Sequence, residues 1–447
     1  MSISETFNYF KTDLLSVKDL EVMDLKSERE KYSRDFYDYS PILKEKLSGC
    51  IADLVVKPIT IEAVLQVAKI CRRYSYPLTL RGSGTGNYGQ CVPLFGGVVM
   101  LMSEFKNIRE VNKENGVVTV ESGCLLRDLD NKIALSGREL RLLPSTWRSA
   151  SIGGFIAGGS GGIGSVKWGF LRDPGHLLGL EIVTLEESPR ILSLDSSDSE
   201  ALNHSYGTNG IITALKISTA PLTTWQEITL DCESFSKALG LLRTFSKAAV
   251  DLHLCTLLEK DIVNHLPAWS GPANGLHRLL ILVSPDGVST LQKLAKSVGE
   301  KISVLGSENR YKGSGLRELT WNHTTLHMRK IDPQWTYLQM LLPEPEMPFL
   351  KKLKDKWGAD LIWHLEAVRQ QGAQRIAALP LVKWRDTNSL EELIDDCRKT
   401  GAIIFNPHVI TVEDGGLGVV DSDQVKAKRK YDSCGLLNPG KLKGWGK

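Results

Sequence analysis

The sequence has 447 residues and eight cysteines, but it contains no Cys-x-x-Cys pair. A zinc finger or a disulfide framework needs regularly spaced cysteines, so the scattered thiols argue against both kinds of site. The first residues, MSISETFNYF, carry an early acid and lack the basic and then apolar segments of a secretory signal. From these absences we expect reduced thiols and a cytoplasmic protein.

The sequence also lacks a strong excess of one charge. Its 55 basic and 52 acidic residues give a net charge of +3 that is spread along the chain. This balance argues against nucleic acid or an anionic membrane as a partner. An uninterrupted apolar run is missing too, because glycine recurs throughout the longest uncharged stretch, residues 149–166. Glycine destabilises helices, so we expect no membrane span in this stretch.

The length favours two domains, because one hydrophobic core rarely grows beyond about 250–300 residues. Up to residue 220, short apolar strands alternate with helices, one of which Thr60 caps and another of which covers residues 125–136. Beyond Pro221 the glycine-rich loops stop, and tryptophan, histidine and arginine become more frequent. We predict an α+β protein with a first domain over 1–220, whose core of about 46–220 follows a helical extension. A second α+β domain covers 221–415, and the segment 416–447 returns to the first domain.

The first glycine-rich loop follows a predicted strand at residues 77–81. Its sequence RGSGTGNYG, residues 81–89, has the G-x-G-x-x-G spacing that precedes a helix in dinucleotide-binding βαβ units. Pro93 and the glycine pair at 96–97 cannot begin that helix, so this interpretation fails. Glycines can instead adopt positive φ and direct main-chain N–H groups at a phosphate. We favour such an anion-binding loop, and tight turns without a ligand are the alternative.

A second glycine-rich segment, PSTWRSASIGGFIAGGSGG, covers residues 144–162. Two such segments beside strands suit one elongated ligand held along its length. With PLTLRGSGTG, VTVESGCLLRDL, HLLGLEIVTL, YGTNGIITALKIST and the C-terminal GLLNPGK, the ordered set resembles the FAD-binding domain of the vanillyl-alcohol oxidase/p-cresol methylhydroxylase family. The resemblance covers roughly residues 50–220 and 431–445.

The resemblance implies a two-part FAD-binding domain of the PCMH type, with an α+β cap domain that lies over the flavin and contacts substrate. By position it implies these cofactor-binding residues: Arg81, Gly82, Ser83, Gly84, Thr85, Gly86, Pro144, Ser145, Thr146, Ser151, Gly153, Gly154, Ala157, Gly161, Gly162, Ile211, Ile212, Asn438 and Lys441. Members that tether flavin through the first loop carry a histidine there. This loop has serine and threonine instead, so the resemblance implies non-covalent FAD.

Five residues of the second domain are candidates for catalysis. His323 and His327 share one face if their segment is helical, so they suit a base with an orienting group, two metal ligands, or a pair without chemistry. A carboxylate two residues after His364 could orient that imidazole on a strand. His408 is a further candidate, and Arg329 could clamp a substrate carboxylate.

By overall pattern the sequence looks nearest to the glycolate oxidase/D-lactate dehydrogenase branch of the family. The metal-binding string of that branch is absent, and Asp414 stands where a later histidine would fall. We therefore expect no metal site of that type.

The resemblance implies an FAD-dependent oxidoreductase that oxidises a small hydroxylated substrate. Hydride would pass to flavin N5 while a cap histidine removes the hydroxyl proton. A 2-hydroxy acid such as glycolate or D-lactate is the leading substrate class, and an alcohol or a sugar-derived compound is the alternative. A flavin-binding electron-transfer subunit of a larger complex is the rival function. The expected partners are a small-molecule substrate and an unidentified electron acceptor, in a homodimer or a larger complex.

Overall fold

The computed structural model describes residues 3–310 and 312–446. In the first half, the helices and strands are α1 (Ile3–Leu15), β1 (Leu20–Met23), α2 (Lys26–Tyr32), α3 (Pro41–Leu47), β2 (Leu54–Pro58), α4 (Ile61–Tyr74), β3 (Leu78–Arg81), β4 (Val98–Leu101), β5 (Ile108–Val111), β6 (Val117–Glu121), α5 (Leu126–Ala134), β7 (Arg138–Leu140), α6 (Ile152–Gly158), α7 (Ser165–Trp168), β8 (Leu177–Val183), β9 (Ile191–Asp195), α8 (Ser196–Ser199) and β10 (Ile211–Pro221).

The second half contains the remaining helices and strands. They are β11 (Gln226–Cys232), α9 (Phe235–Lys247), β12 (Leu252–Leu258), α10 (Lys260–Val263), β13 (His277–Val283), α11 (Val288–Ser297), β14 (Ser303–Ser307), α12 (Asn322–Ile331), β15 (Trp335–Tyr337), β16 (Gln339–Leu341), α13 (Glu346–Trp357), β17 (Leu361–Ile362), β18 (His364–Gln370), β19 (Ala373–Ala378), β20 (Leu381–Lys383), α14 (Thr387–Lys399), β21 (Ile403–Phe405), α15 (Val412–Gly415) and α16 (Ser422–Tyr431).

Two sheets organise the first half. The smaller sheet has the order β1-β2-β4-β3, in which β2, β4 and β3 are parallel and β1 is antiparallel. The larger antiparallel sheet has the order β5-β6-β10-β8-β9, and β7 also pairs with β10. The hydroxyl of Thr60 accepts the N–H of Ala63 and caps α4, as predicted. The first glycine loop therefore leaves the end of β3, an edge strand held by parallel pairing to β4.

An antiparallel sheet of eight strands organises the second half, in the order β14-β11-β13-β12-β18-β19-β16-β21. Strand β12 is buried on both faces, because side chains alternate along a strand and each face has a neighbour. Cys255 and Leu257 pack with the helices α9, α11, α13 and α14, whereas Leu254 and Leu258 pack with residues of the first half. A three-stranded sheet, β15-β20-β17, completes this half.

The C-terminal segment returns to the small sheet. The N–H of Leu78 donates to Leu436 O at 2.9 Å, and the N–H of Asn438 donates to Leu78 O at 2.8 Å. On α16 the buried ammonium of Lys428 donates to Asp432 Oδ2 at 2.5 Å and to the carbonyl oxygens of Thr208 and Leu437 at 2.8 and 2.7 Å. These contacts fasten the end of the chain beside β3.

Residues 149–166, the uncharged stretch, form the short helices α6 and α7 with glycine-rich turns between them. Helix α6 packs on the larger sheet of the first half through Ile152, Phe155 and Ile156. None of the helices in the described ranges is long and apolar enough to cross a membrane.

The Lys428 ammonium makes a testable contribution to stability. We expect Lys428→Met to lower the free energy of unfolding by about 3–5 kcal/mol, because it leaves the buried Asp432 carboxylate without its counter-charge. Urea unfolding followed by circular dichroism measures this change. The matched control is Lys426→Met on the same helix, whose ion pair with Asp423 is exposed and should contribute less than about 1 kcal/mol. Equal unfolding midpoints for both variants would contradict the assignment.

Candidate functional site

A cavity of about 470 Å³ lies where the two halves of the chain meet. This volume is typical of a small-molecule or cofactor site, which usually occupies about 300–1,000 Å³. The first half contributes the glycine loop at 82–86, the segment 144–161 and residues around 204–212. The second half contributes residues before and within α12, together with Gln339 and Phe405.

The first glycine loop presents an unusual run of main-chain donors. The N–H groups of residues 82–87 donate to no acceptor in the described ranges, and the first to find one is Tyr88, which donates to Gln90 Oε1 at 3.1 Å. Unpaired N–H groups are rare in folded proteins unless water or a ligand accepts them. Gly84 adopts φ +68°, a conformation that favours glycine. Unpaired main-chain donors and a glycine with positive φ are features of main-chain anion-binding loops.

Three of the residues predicted to bind the cofactor hold this loop from behind. Arg81 donates to the carbonyl oxygens of Tyr32 and Arg34 at 3.2 and 2.5 Å, and does not line the cavity. Asn438 donates to Gln90 O at 2.7 Å, and Lys441 donates to Gly89 O at 2.5 Å. All three therefore lie behind the loop, and none of them lines the cavity; direct contact with the cofactor stays a prediction.

The buried carboxylate of Asp35 also lies behind the first glycine loop. Asp35 accepts the N–H of Tyr37 at 3.0 Å, while its other oxygen has no partner in the described ranges. Burial raises the pKa of Asp35 to about 7 and lowers the pKa of Lys441 to about 8. The neighbouring N–H of Phe36 donates to Gly86 O at 2.8 Å, so the N-terminal extension is tied directly to the glycine loop.

The second glycine segment forms another part of the wall. Ser151 caps α6 by accepting the N–H of Gly154, and the cavity is lined by Pro144, Ser145, Thr146, Ser151, Gly153, Gly154, Ala157 and Gly161. Gly162 does not line it, because it packs against the main chain, where a Cβ would lie 2.1 Å from Leu143 O. Ile212 reaches the cavity, whereas Ile211 points into the core and is completely buried.

The second half places one predicted histidine at the cavity. His323 lies in the first turn of α12, and its Nδ1 is 3.4 Å from Glu318 Oε2. Burial lowers the pKa of His323 below its ordinary value, so the imidazole is neutral at pH 7 and able to accept a proton.

Sequence reasoning missed Arg148, which also lines the cavity. Its Nε donates to Glu318 Oε1 at 3.0 Å, and its Nη2 donates to the carbonyl oxygens of Arg310 and Lys312 at 3.1 and 3.0 Å. Nη1 donates to no protein acceptor in the described ranges. The available signal was a single charge within an otherwise uncharged glycine-rich segment.

Four predicted catalytic residues do not line the cavity. His327 shares a helical face with His323 as expected, but its Nε2 contacts Glu318 O at 2.9 Å. Arg329 donates to three main-chain carbonyl oxygens. His364 is fully buried and its Nε2 lies 2.7 Å from a carboxylate, as the two-residue spacing predicted. Burial lowers the pKa of His408 to about 4, and both of its ring nitrogens have partners within the protein.

Residues 52–190 match the FAD binding domain family. Over 433 residues the chain is 35% identical to an uncharacterised FAD-linked oxidoreductase of Mycobacterium tuberculosis, and the match covers 87% of this chain and 90% of that protein. The chain belongs to the FAD-linked oxidoreductase family. FAD is therefore the cofactor of this oxidoreductase.

Two further relatives match a smaller part of the oxidoreductase. Glycolate oxidase subunit GlcD of Bacillus subtilis is 33% identical over 131 residues, which cover 29% of this chain and 27% of that protein. D-lactate dehydrogenase of Anaerostipes hadrus is 33% identical over 174 residues, covering 38% and 36%. The matches therefore span only about a third of the length of these relatives.

Solved structures share the fold of the oxidoreductase across nearly its whole length. An alkyldihydroxyacetonephosphate synthase superposes with a TM-score of 0.75 at 16% identity, covering 99% of this chain and 85% of that one. A variant of Physcomitrella patens BBE-like 1 gives 0.71 at 13% identity, covering 97% and 98%. These neighbours confirm the predicted α+β fold with a PCMH-type FAD-binding architecture.

The cavity of the oxidoreductase fits the diphosphate of FAD. The unpaired N–H groups of residues 82–87 supply donors, and Gly84 leaves no room for a Cβ, which would lie 2.1 Å from the Arg81 guanidinium. Among the described residues, no group of three or more His, Cys, Asp or Glu side chains is placed to hold a metal ion.

Gly84 provides a direct test of the anion-binding loop. In Gly84→Ala the new Cβ would lie 2.1 Å from the Arg81 guanidinium and the residue would keep a left-handed φ. We expect FAD to bind at least about tenfold more weakly, a loss of about 1.4 kcal/mol. Titration of the apoprotein with FAD, followed by flavin fluorescence, measures the affinity.

The matched control is Gly240→Ala in α9, where an added Cβ meets nothing within 4 Å. This variant should keep the FAD affinity of the parent protein and gain some helix stability. If both variants bind FAD as tightly as the parent, the loop at 82–87 does not hold the diphosphate.

Proposed function

We propose that this oxidoreductase holds FAD non-covalently and oxidises a small 2-hydroxy acid at its CH–OH group. The observation that carries the proposal is the placement of an anion-binding loop, a neutral histidine and an available arginine in one cavity. Ser83 and Thr85 occupy the loop where tethering members of the resembled family carry a histidine, which supports the non-covalent mode.

Bound FAD supplies the hydride acceptor. The protein supplies a base, and we assign this role to His323, whose neutral imidazole accepts the hydroxyl proton on a ring nitrogen. The carboxylate of Glu318, 3.4 Å from Nδ1, then stabilises the imidazolium that forms. Burial favours the neutral imidazole before the reaction, and the carboxylate favours the charged imidazolium after it.

Substrate selection is assigned to Arg148. Its guanidinium is fixed by the Glu318 carboxylate and two carbonyl oxygens, so Nη1 can donate to a substrate carboxylate without further ordering. This geometry replaces the earlier assignment of Arg329 as the clamp, since Arg329 donates to main-chain carbonyl oxygens instead. The names of the partial relatives, glycolate oxidase subunit and D-lactate dehydrogenase, point to the same substrate class.

A neutral alcohol or a sugar-derived compound is the second candidate substrate. The observation that favours it is the aromatic lining of the cavity by Phe36, Tyr39, Trp321 and Phe405, on which an uncharged ring can pack. A flavin-binding electron-transfer subunit is the rival function and would be reduced by neither class of compound.

The cellular setting and the electron acceptor are proposals as well. All eight cysteines are free, which supports a reducing compartment, and we propose a cytoplasmic location. Reduced FAD must pass its electrons to an acceptor other than the substrate, such as dioxygen, a quinone or a redox protein.

Anaerobic mixing with a panel of 2-hydroxy acids and neutral alcohols tests the proposed function. We expect the yellow flavin colour to bleach with a 2-hydroxy acid. In Arg148→Met the apparent dissociation constant for that acid should rise about tenfold to a hundredfold, because a charge-assisted hydrogen bond of about 1.5–3 kcal/mol is lost. Bleaching by alcohols alone would favour the second substrate class, and bleaching by no compound would favour the electron-transfer rival.

The role of His323 has its own test. We expect His323→Ala to slow flavin reduction by about 10²–10⁴-fold while FAD stays bound. Because burial lowers the pKa of His323, the parent rate should fall only as the pH drops below the ordinary histidine value of about 6.5. Stopped-flow absorbance across pH measures both effects.

His265→Ala is the control for this substitution, since His265 is exposed and does not line the cavity. It should reduce at the rate of the parent protein. A His323→Ala variant that also reduces at that rate, with an unchanged pH profile, would remove the histidine from the mechanism.

A further inference from the structure

The main chain at Trp321 is strained. This residue immediately precedes α12 and adopts φ +52° and ψ −139°, a combination that favours glycine. A tryptophan holds such a conformation only where its surroundings fix it. The turn decides where α12 begins, and therefore which side chains of its first turn reach the cavity.

A buried carboxylate fixes this turn. Glu366 Oε1 accepts the N–H of Trp321 at 2.9 Å, and only 1% of Glu366 is exposed. The other oxygen, Oε2, accepts the hydroxyl of Thr256 at 2.5 Å, and His364 Nε2 lies 2.7 Å from Oε1. Both carboxylate oxygens are thus engaged, so the side chain is held in one orientation.

The group that fixes Trp321 belongs to the rigid eight-stranded sheet. Thr256 on β12 and Glu366 on β18 are direct cross-strand partners. Thr256 is two residues from both Leu254 and Leu258, whose side chains face the first half of the protein, so it lies on the same face. The sheet therefore presents the carboxylate toward the cavity side without exposing it.

The consequences for the cavity are specific. Trp321, Asn322, His323 and Leu326 line it, whereas the carboxylate that sets their position does not. The indole Nε1 of Trp321 is buried and has no hydrogen-bond partner among the described residues. A shift of the turn would move all four lining side chains together, since they belong to one helix start.

We infer that Glu366, held by His364 and Thr256, is a positioning residue that maintains the left-handed turn at Trp321. Through this turn it sets the placement of the Trp321 ring and of His323 in the cavity wall. Only the catalytic meaning of His323 rests on the proposed function. The conformation of the turn is a separate property that can be measured without substrate.

Glu259 provides a matched control. It is also a buried carboxylate that accepts a tryptophan N–H, with its Oε2 2.7 Å from the nitrogen of Trp363. Its other oxygen pairs with Lys354, and it does not line the cavity. Replacing either carboxylate removes a buried hydrogen-bond acceptor. Only Glu366, however, accepts the N–H of a residue with positive φ.

The experiment uses the full-length, FAD-loaded protein and compares Glu366→Gln with Glu259→Gln. Hydrogen exchange of a peptide that covers residues 319–326 should become about tenfold faster in Glu366→Gln and stay unchanged in Glu259→Gln. Both variants should retain FAD, because the loop at 82–87 is untouched. Equal exchange in the two variants would overturn the inference.

A glycine background separates positioning from a general loss of stability. Trp321→Ala and Trp321→Gly both remove the ring, but only glycine accepts the left-handed turn without strain. Adding Glu366→Gln should accelerate exchange strongly in the alanine background and much less in the glycine background. The same acceleration in both would show a merely structural carboxylate and overturn the inference.

Two readouts keep this inference distinct from the proposed function. If no 2-hydroxy acid reduces the parent protein, the proposed function fails while the exchange comparison still decides the role of Glu366. If Glu366→Gln does not fold, Thr256→Val removes one contact to the carboxylate and retains the acceptor for Trp321. It should accelerate exchange in the 319–326 peptide, and unchanged exchange would overturn the inference.

Discussion

The structure depends on a loop whose main-chain N–H groups are kept away from the acceptors of the protein itself. Because these donors form no hydrogen bonds within the described protein, they do not fix the shape of the loop at 82–87, which depends on other contacts. Those contacts come from behind. Arg81 donates hydrogen bonds to carbonyl oxygens of the N-terminal extension. Asn438 and Lys441 donate to the carbonyl oxygens just after the loop. Residues near both ends of the described chain thus converge on one short turn.

Some of the strained main chain lies at the same cavity. His204, Tyr206 and Trp321 are non-glycine residues with positive φ, and all three line it. Such conformations cost of order 1–3 kcal/mol each and persist where surrounding contacts over-determine them. The tie between the Asn438 amide and Tyr206 O is one such contact, and the carboxylate hydrogen bond to the Trp321 N–H is another. The wall is accordingly preorganised by groups that do not themselves reach the ligand.

Sequence reasoning reached the fold because the strand before the loop, the Thr60 cap and the two glycine segments are local signals in a fixed order. Most positions that it named in those segments line the cavity, since a glycine-rich sequence is itself the local signal. It could not separate lining residues from supporting ones. Arg81 and Lys441 carry charges that suit a phosphate, yet tertiary contacts turn them toward carbonyl oxygens. Likewise, the local sequence around His364 and around His408 does not reveal that both side chains are buried, because burial depends on long-range packing.

In the proposed function, main-chain N–H groups hold the dinucleotide, whereas side chains from both halves, Arg148 and His323, contact the substrate. These two tasks are therefore separable in evolution. Substitutions at the start of α12 or near Phe405 would change the lining of the cavity. They would leave the main-chain N–H groups of the glycine loop unchanged. Related proteins with this fold can therefore differ in the side chains that contact the substrate while the glycine loop that binds the cofactor is conserved.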